Sequence, residues 1–281
     1  MSMKLKLVLL LPMLCLSCSK RDVSNTIFVS FDAVKELVSN IVGGKHDIET
    51  LTPPGTEAHD FELTASKLAE LTECKRLFIN GFHFESWSDS LPNDVKNKTN
   101  SLSDGITPLY INNRIDPHIW LNPLNAIKEM ENVYSVMSNI DEENQEYYLS
   151  NLNSYRTEFT ELDNELSQIA ETFTQKNIVV SHAAYGYMCD RYGLNQIYIN
   201  GIEADEEPNT KTISEIIDKV NKLGITTIFT EELISTAIAE KISQETGVKM
   251  EMLNTLENID DGESYISLMR ENFQKLERAC K

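Results

Sequence analysis

Cysteine is scarce in this 281-residue sequence, with five in all. Cys15 and Cys18 fall near the start, which leaves Cys74, Cys189 and Cys280 in the body. An odd, sparse set excludes a disulfide framework, and no pair at CxxC spacing offers a thiolate zinc site. Export would permit one bridge, but the sequence does not choose it. Basic charge is also short. The 25 Lys and Arg against 44 Asp and Glu give a formal charge of −19. That excludes the basic face a nucleic-acid partner needs, and a polybasic grip on anionic lipid. After the first twenty residues no stretch is apolar for the roughly 18 residues of a spanning helix. There is no short-period repeat and no low-complexity tract. Five histidines occur, none at HxH or HExxH spacing, so no local zinc motif exists.

What is present begins with a leader. Lys4 and Lys6 precede an apolar run from Leu7 to Leu16. The run is too short to span a bilayer and suits the core of a signal peptide. It ends in Leu16-Ser17-Cys18, which resembles a bacterial lipoprotein processing site, although Cys15 stands where an aliphatic residue is usual. The expectation is a signal peptide over 1–17, lipidation at Cys18, export, and a tether at the cell membrane or in the periplasm.

At roughly 150 residues per domain the length suggests two domains. Thr26-Ile27-Phe28-Val29 reads as a strand, followed by a helix through Val34, Leu37 and Val38 to Gly43-Gly44. Asp47 to Leu51 is a short strand, Thr64 to Glu73 a helix, and Arg76 to Asn80 a buried strand. The alternation resumes later. Strands are expected at Asn177 to Ser181, Ile197 to Ile199, Thr226 to Phe229 and Lys249 to Leu253. Helices are expected between them and at Ser264 to Ala279. This alternation indicates βαβ units and parallel sheets. Between the halves, Tyr148, Leu152, Tyr155, Phe159, Leu162, Leu166, Ile169 and Phe173 are spaced 4-3-4-3-4-3-4. That is one apolar stripe on a helix of about seven turns. A coiled-coil seam has the same spacing, but a single stripe inside an α/β chain fits a helix packing along both halves. The fold expected is α/β. Two lobes, each a mostly parallel sheet flanked by helices, would be bridged by one long rigid helix. The lobes would span 18–142 and 175–281, with the linking helix over 143–174.

Three histidines sit in distinctive contexts. His59 follows Pro53-Pro54-Gly55-Thr56-Glu57-Ala58, His118 lies in Asp116-Pro117-His118-Ile119-Trp120-Leu121-Asn122-Pro123, and His182 follows the strand Ile178-Val179-Val180. In open α/β sheets, ligands bind at the carboxyl ends of strands. Three such imidazoles could converge on one ion. A lone loop histidine is more often a surface or hydrogen-bonding residue. His46, after Gly43-Gly44-Lys45, looks like an exposed turn residue, and His83 sits at another strand end.

The succession of these segments with Asn80-Gly81, Ser181-His182-Ala183-Ala184-Tyr185-Gly186-Tyr187, Phe229-Thr230-Glu231 and Leu253-Asn254-Thr255-Leu256-Glu257 carries a resemblance. It is similar to the zinc/manganese class of ABC-transporter solute-binding proteins, over nearly the whole chain after the leader. The resemblance implies His59, His118 and His182 as metal ligands, with a carboxylate of the second lobe as the fourth. Glu257 matches that position, with Asn254 or a water as the alternatives. Manganese-preferring members often carry a carboxylate at the position of His182. Three imidazoles and one carboxylate suit Zn2+, with Mn2+ as the alternative. The histidine-rich loop of some zinc members is missing here. The resemblance further implies a non-enzymatic, monomeric component that hands its ion to an ABC permease in the cytoplasmic membrane. The linking helix would limit hinge motion, so that the loops near His182 and Glu257 move most. Two other classes fit the sequence less well. A zinc hydrolase lacks support for a general base, and a surface adhesin with a structural zinc shares the tether but shows no receptor-binding motif.

Overall fold

The structure is a computed structural model that describes residues 21–203, 206 and 208–281. Cys18 and the apolar run before it lie outside the described residues. Among the described residues no helix is long and apolar enough to cross a membrane.

The first lobe runs β1 (Thr26–Val29), α1 (Asp32–Val42), β2 (Asp47–Thr50), α2 (Ala65–Glu73), β3 (Arg76–Ile79), α3 (Asn93–Lys96) and β4 (Thr99–Ser101). A two-stranded hairpin, β5 (Tyr110–Ile111) and β6 (Arg114–Ile115), and the 18-residue α4 (Pro123–Ile140) complete it. All four residues of β1 are buried, as the central strand of a sheet covered on both faces requires. The sheet order is β2-β1-β3-β4, parallel throughout. Helix α4 had no counterpart in the sequence reading. Its buried Ala126, Ile127, Met130, Val133 and Met137 carry the helical period, but Asn122-Pro123 at its start was read only as part of the histidine loop.

Next comes α5 (Gln145–Glu171), a 27-residue helix. Six of the eight striped residues are buried, and Tyr155 and Ile169 pack half-buried against the same core. One continuous core joins this stripe to α1 and α4 on one side. The second lobe packs on the other. It runs β7 (Asn177–Val180), α6 (Gly186–Tyr192), β8 (Asn195–Tyr198), α7 (Thr210–Leu223), β9 (Thr227–Thr230), α8 (Ala237–Thr246), β10 (Lys249–Met252) and α9 (Tyr265–Cys280). Its sheet order is β10-β9-β7-β8, again all parallel. Asp163 of α5 binds Arg191 through two bonds of 2.7 and 2.5 Å and accepts the Tyr192 hydroxyl, which fixes α6 on the long helix. Cys74, Cys189 and Cys280 are free and buried. The two sheets point the carboxyl ends of β2, β3, β7 and β10 at a shared cleft.

Candidate metal centre

Each candidate ligand leaves a strand end or the segment after one. His59 lies in the loop after β2, His118 between β6 and α4, His182 two residues after β7, and Glu257 five residues after β10. The structure brings all four together. One ligand atom from each lies within 4.8 Å of the others. His118 is central, with its Nε2 3.0 Å from His59 Nε2 and 3.3 Å from His182 Nε2. Zinc–nitrogen bonds of about 2.0–2.1 Å place neighbouring corners of a tetrahedron about 3.3–3.4 Å apart. The imidazoles therefore stand close to the spacing a four-coordinate ion needs. His118, His182 and Glu257 are buried, and His59 is partly exposed at the mouth.

Local structure explains the poses. Gly81, Phe82 and His83 all take positive φ, a costly turn for two of them. Glu85 caps this turn by accepting Asn80 N–H at 2.7 Å and Gly81 N–H at 3.0 Å. Gly81 is required there, because a Cβ would fall 2.0 Å from Ser101 Oγ. The turn delivers Phe84, whose ring packs on His59 at 4.2 Å between centroids. His83 itself points away, 79% exposed, and takes no part in the cluster. His46 is not an exposed turn residue as the sequence suggested. Its side chain is buried far from the cleft, against Asn25, Asp141 and Tyr148, because the entry of α5 folds over it.

Carboxylates orient the rings from behind. Asp116 Oδ1 accepts from His118 Nδ1 at 2.8 Å and from His118 N–H at 3.0 Å. With its proton on Nδ1, His118 turns the Nε2 lone pair to the cleft. Glu231 Oε2 lies 2.7 Å from His182 Nδ1, out of line for a well-directed hydrogen bond, while its Oε1 accepts Ser181 Oγ at 2.5 Å. Burial holds His59 and His118 well below the usual imidazole range, helped by the neighbouring imidazoles. Burial alone would lower His182 too, but Glu231, with Glu57 and Asp116, raises its pKa. Burial raises Asp116 to about 7. Burial, and then the charge of Glu57, push Glu257 well above the usual carboxylate range. Glu57 is itself raised, first by burial.

The fourth position has a clear geometry. Glu257 is 5% exposed, so it is not a surface glutamate. Asn254 Oδ1 instead accepts Leu256 N–H at 2.6 Å, closing a turn that gives Leu256 a φ of +62°. Asn272 binds both backbone groups of Asn254, at 2.9 and 2.7 Å. A cavity of about 30 Å³ beside Glu57, Glu231 and Glu257 has room for one water-sized group. A larger one, about 300 Å³, opens above His59, where Arg114 pairs with Glu203 and Glu206 across the cleft. Asp116, Glu231 and the fully buried Tyr185, whose hydroxyl has no protein partner, carried no role in the sequence reading. For Asp116, the signal was an acid two residues before the histidine in a proline-bounded loop.

Comparison with known proteins gives this arrangement its setting. The family profile for zinc-uptake complex component A, periplasmic (ZnuA), matches residues 27–279. The chain belongs to this family. It is 29% identical to the zinc-binding protein AdcA of Streptococcus pyogenes, over 89% of this chain and 55% of that protein. It therefore spans about half the length of that relative. It is 28% identical to the high-affinity zinc uptake system protein ZnuA of Bacillus subtilis, over 89% of this chain and 86% of that one. The crystal structure of Streptococcus pneumoniae AdcAII superposes with a TM-score of 0.85 at 30% identity, covering 92% and 100% of the two chains. The laminin binding protein of Streptococcus agalactiae, described as an adhesin with metal transporting activity, superposes with a TM-score of 0.86 at 26% identity, covering 91% and 99%. The two-lobed α/β fold with a bridging helix is thus the ZnuA-type fold.

Proposed function

We propose that this protein captures one zinc ion outside the cytoplasm and delivers it to an ABC permease. The observation that carries the reading is the convergence of His59, His118, His182 and Glu257 from both lobes on one buried point. Three neutral nitrogens and one carboxylate are a zinc set, and the anionic oxygen offsets part of the ion's charge. Glu257 is favoured over Asn254 because the Asn254 amide oxygen is already committed to a backbone N–H. Residues 18–142 would form the first lobe, 143–174 the linking helix and 175–281 the second lobe. The leader would be removed and Cys18 lipidated, leaving a monomer tethered at the membrane.

The chain's own residues set how capture works. Asp116 accepts from His118 Nδ1, so His118 presents its Nε2 lone pair to the cargo, and Glu231 stands behind His182 at 2.7 Å. Glu231 raises the pKa of His182 and burial raises that of Glu257, so protons compete with the incoming ion at both donors. No bond is made or broken in the cargo, and all four protein donors are satisfied by it. Release follows when docking on the permease shifts His182 away from the other three donors, with the linking helix limiting rotation of the lobes.

The test is zinc titration of the purified protein with His59→Ala, His118→Ala and His182→Ala. One zinc per chain is expected, with affinity lost or much reduced in each variant. Unchanged affinity in all three overturns the site.

A further inference from the structure

Glu257 belongs to the second lobe, where Asn272 of α9 holds Asn254 just before it, yet its segment is also tied to the first. Asp32, in the first turn of α1, donates its N–H to the Glu257 carbonyl at 3.3 Å. Its Oδ2 accepts Ile259 N–H at 3.3 Å, and its Oδ1 accepts Thr50 Oγ1 at 3.1 Å. Asp32 thus brackets the backbone on both sides of Glu257 while being anchored to β2. Trp120 adds a second clasp. Its Nε1 donates to the Thr255 carbonyl at 2.7 Å, and its own carbonyl accepts the Tyr265 hydroxyl at 2.6 Å. Gly55 N–H donates to Asn258 Oδ1 at 3.0 Å. Leu256 between these ties carries a left-handed backbone, which a branched-chain residue holds only where its surroundings fix it.

We infer that Asp32 is a positioning residue for the fourth ligand, clasping the Glu257 segment to the first lobe. The inference rests on the reading of Glu257 as a ligand. It makes His59, His118 and Glu257 a preassembled three-donor face, closed by His182 alone from the other lobe. The ties to Asp32 and Trp120 oppose any motion of Glu257 away from His59 and His118, whereas His182 is free to move relative to them. Asp32 touches no metal itself. It acts through Ile259 and the Glu257 carbonyl, as outer groups orient a metal's direct ligands elsewhere.

The test is a double-mutant cycle of Asp32→Ala and Glu257→Ala, read by zinc affinity and by the visible spectrum of the cobalt-loaded protein. Glu257→Ala is expected to weaken zinc binding and to shift the cobalt bands as a water replaces the carboxylate. Asp32→Ala is expected to weaken zinc by about 10–100-fold with the same spectral shift, and to add little in the Glu257→Ala background. Asp32→Asn keeps an acceptor for Ile259 N–H and a donor toward Thr50, so it restores affinity and spectrum. If Asp32→Ala does not fold, Thr50→Val, a near-isosteric change that removes the hydroxyl anchoring Asp32 Oδ1, carries the same cycle. Wild-type affinity in Glu257→Ala overturns the ligand reading itself. A weakened Glu257→Ala beside an unaltered Asp32→Ala, or equal losses from Asp32→Ala in both backgrounds, overturns the positioning role alone.

Discussion

Gly186→Ala is a small change whose effect on zinc can be worked from the structure. Gly186 opens α6 with helical angles, φ −57° and ψ −51°, so alanine fits the backbone. The obstacle is Asp116. A Cβ at Gly186 falls 2.1 Å from Asp116 Oδ2 and 3.4 Å from its Cγ. Ordinary contact begins near 3.4 Å, so the oxygen must retreat by 3.4 − 2.1 = 1.3 Å. His118 Nδ1 is held at 2.8 Å by the other oxygen, Oδ1, and turning the carboxylate to clear the new Cβ swings that oxygen out of line. Losing the partner that orients a metal-binding histidine typically costs about 10–100-fold in metal affinity, or roughly 1.4–2.7 kcal/mol. Helix propensity favours alanine by about 0.5–1 kcal/mol, so the loss cannot come from a weaker helix. The assay is competition against a chromophoric zinc chelator, with circular dichroism to follow folding and His118→Ala as the reference. Zinc affinity within about twofold of wild type in a folded Gly186→Ala protein would refute the role given to Asp116.

Other expectations follow from the buried acids and bases. Zinc affinity should fall as pH is lowered, because Glu231 raises His182 against the lowering effect of burial, and burial raises Glu257. Calorimetry in buffers of different ionisation enthalpy should show protons released as zinc binds. None released would contradict this assignment. Glu129 on α4 is fully buried, and neither of its oxygens has a protein partner. Burial, then Glu85, raises its pKa well above the ordinary 4.5. A raised pKa contributes stability that is present below about pH 4.5 and is lost as pH rises. Glu129→Met should therefore stabilise the protein by about 1–3 kcal/mol near neutral pH and by less at pH 5. Urea unfolding at the two pH values checks this, and a gain that does not grow with pH counts against it. Phe159→Ala, in the buried stripe of α5, should cost about 3–5 kcal/mol in the same assay.

The parallel sheets and the long helix were legible because their signals are local. Apolar runs such as Ile27-Phe28-Val29 and the spacing from Tyr148 to Phe173 report burial directly. Helix α4 was overlooked because its polar face, Asn125, Lys128, Glu131 and Asn132, interrupts a period that only packing against α1 and α5 makes plain. His59, His118 and His182 stood out through proline-bounded loops and strand ends, which depend only on neighbours in sequence. Asp116 and Glu231 did not, since holding a ring from behind is a relation between segments. His46 was misread for the same reason. Its turn-like neighbours are local, and its burial comes from Asp141 and Tyr148, about a hundred residues away. Glu257 was reached by resemblance, and nothing in the sequence announced that Asp32 holds its backbone.

The central claim is one zinc ion bound by three imidazoles and one carboxylate. The most direct measurement is X-ray absorption on the zinc-loaded protein, with metal content and competition by manganese measured on the same sample. The account predicts one zinc per chain, a four-coordinate shell of three imidazole nitrogens and one oxygen donor at about 2.0–2.1 Å, and displacement only by a large excess of manganese. A six-coordinate shell, fewer than three imidazoles, or ready exchange for manganese would contradict it.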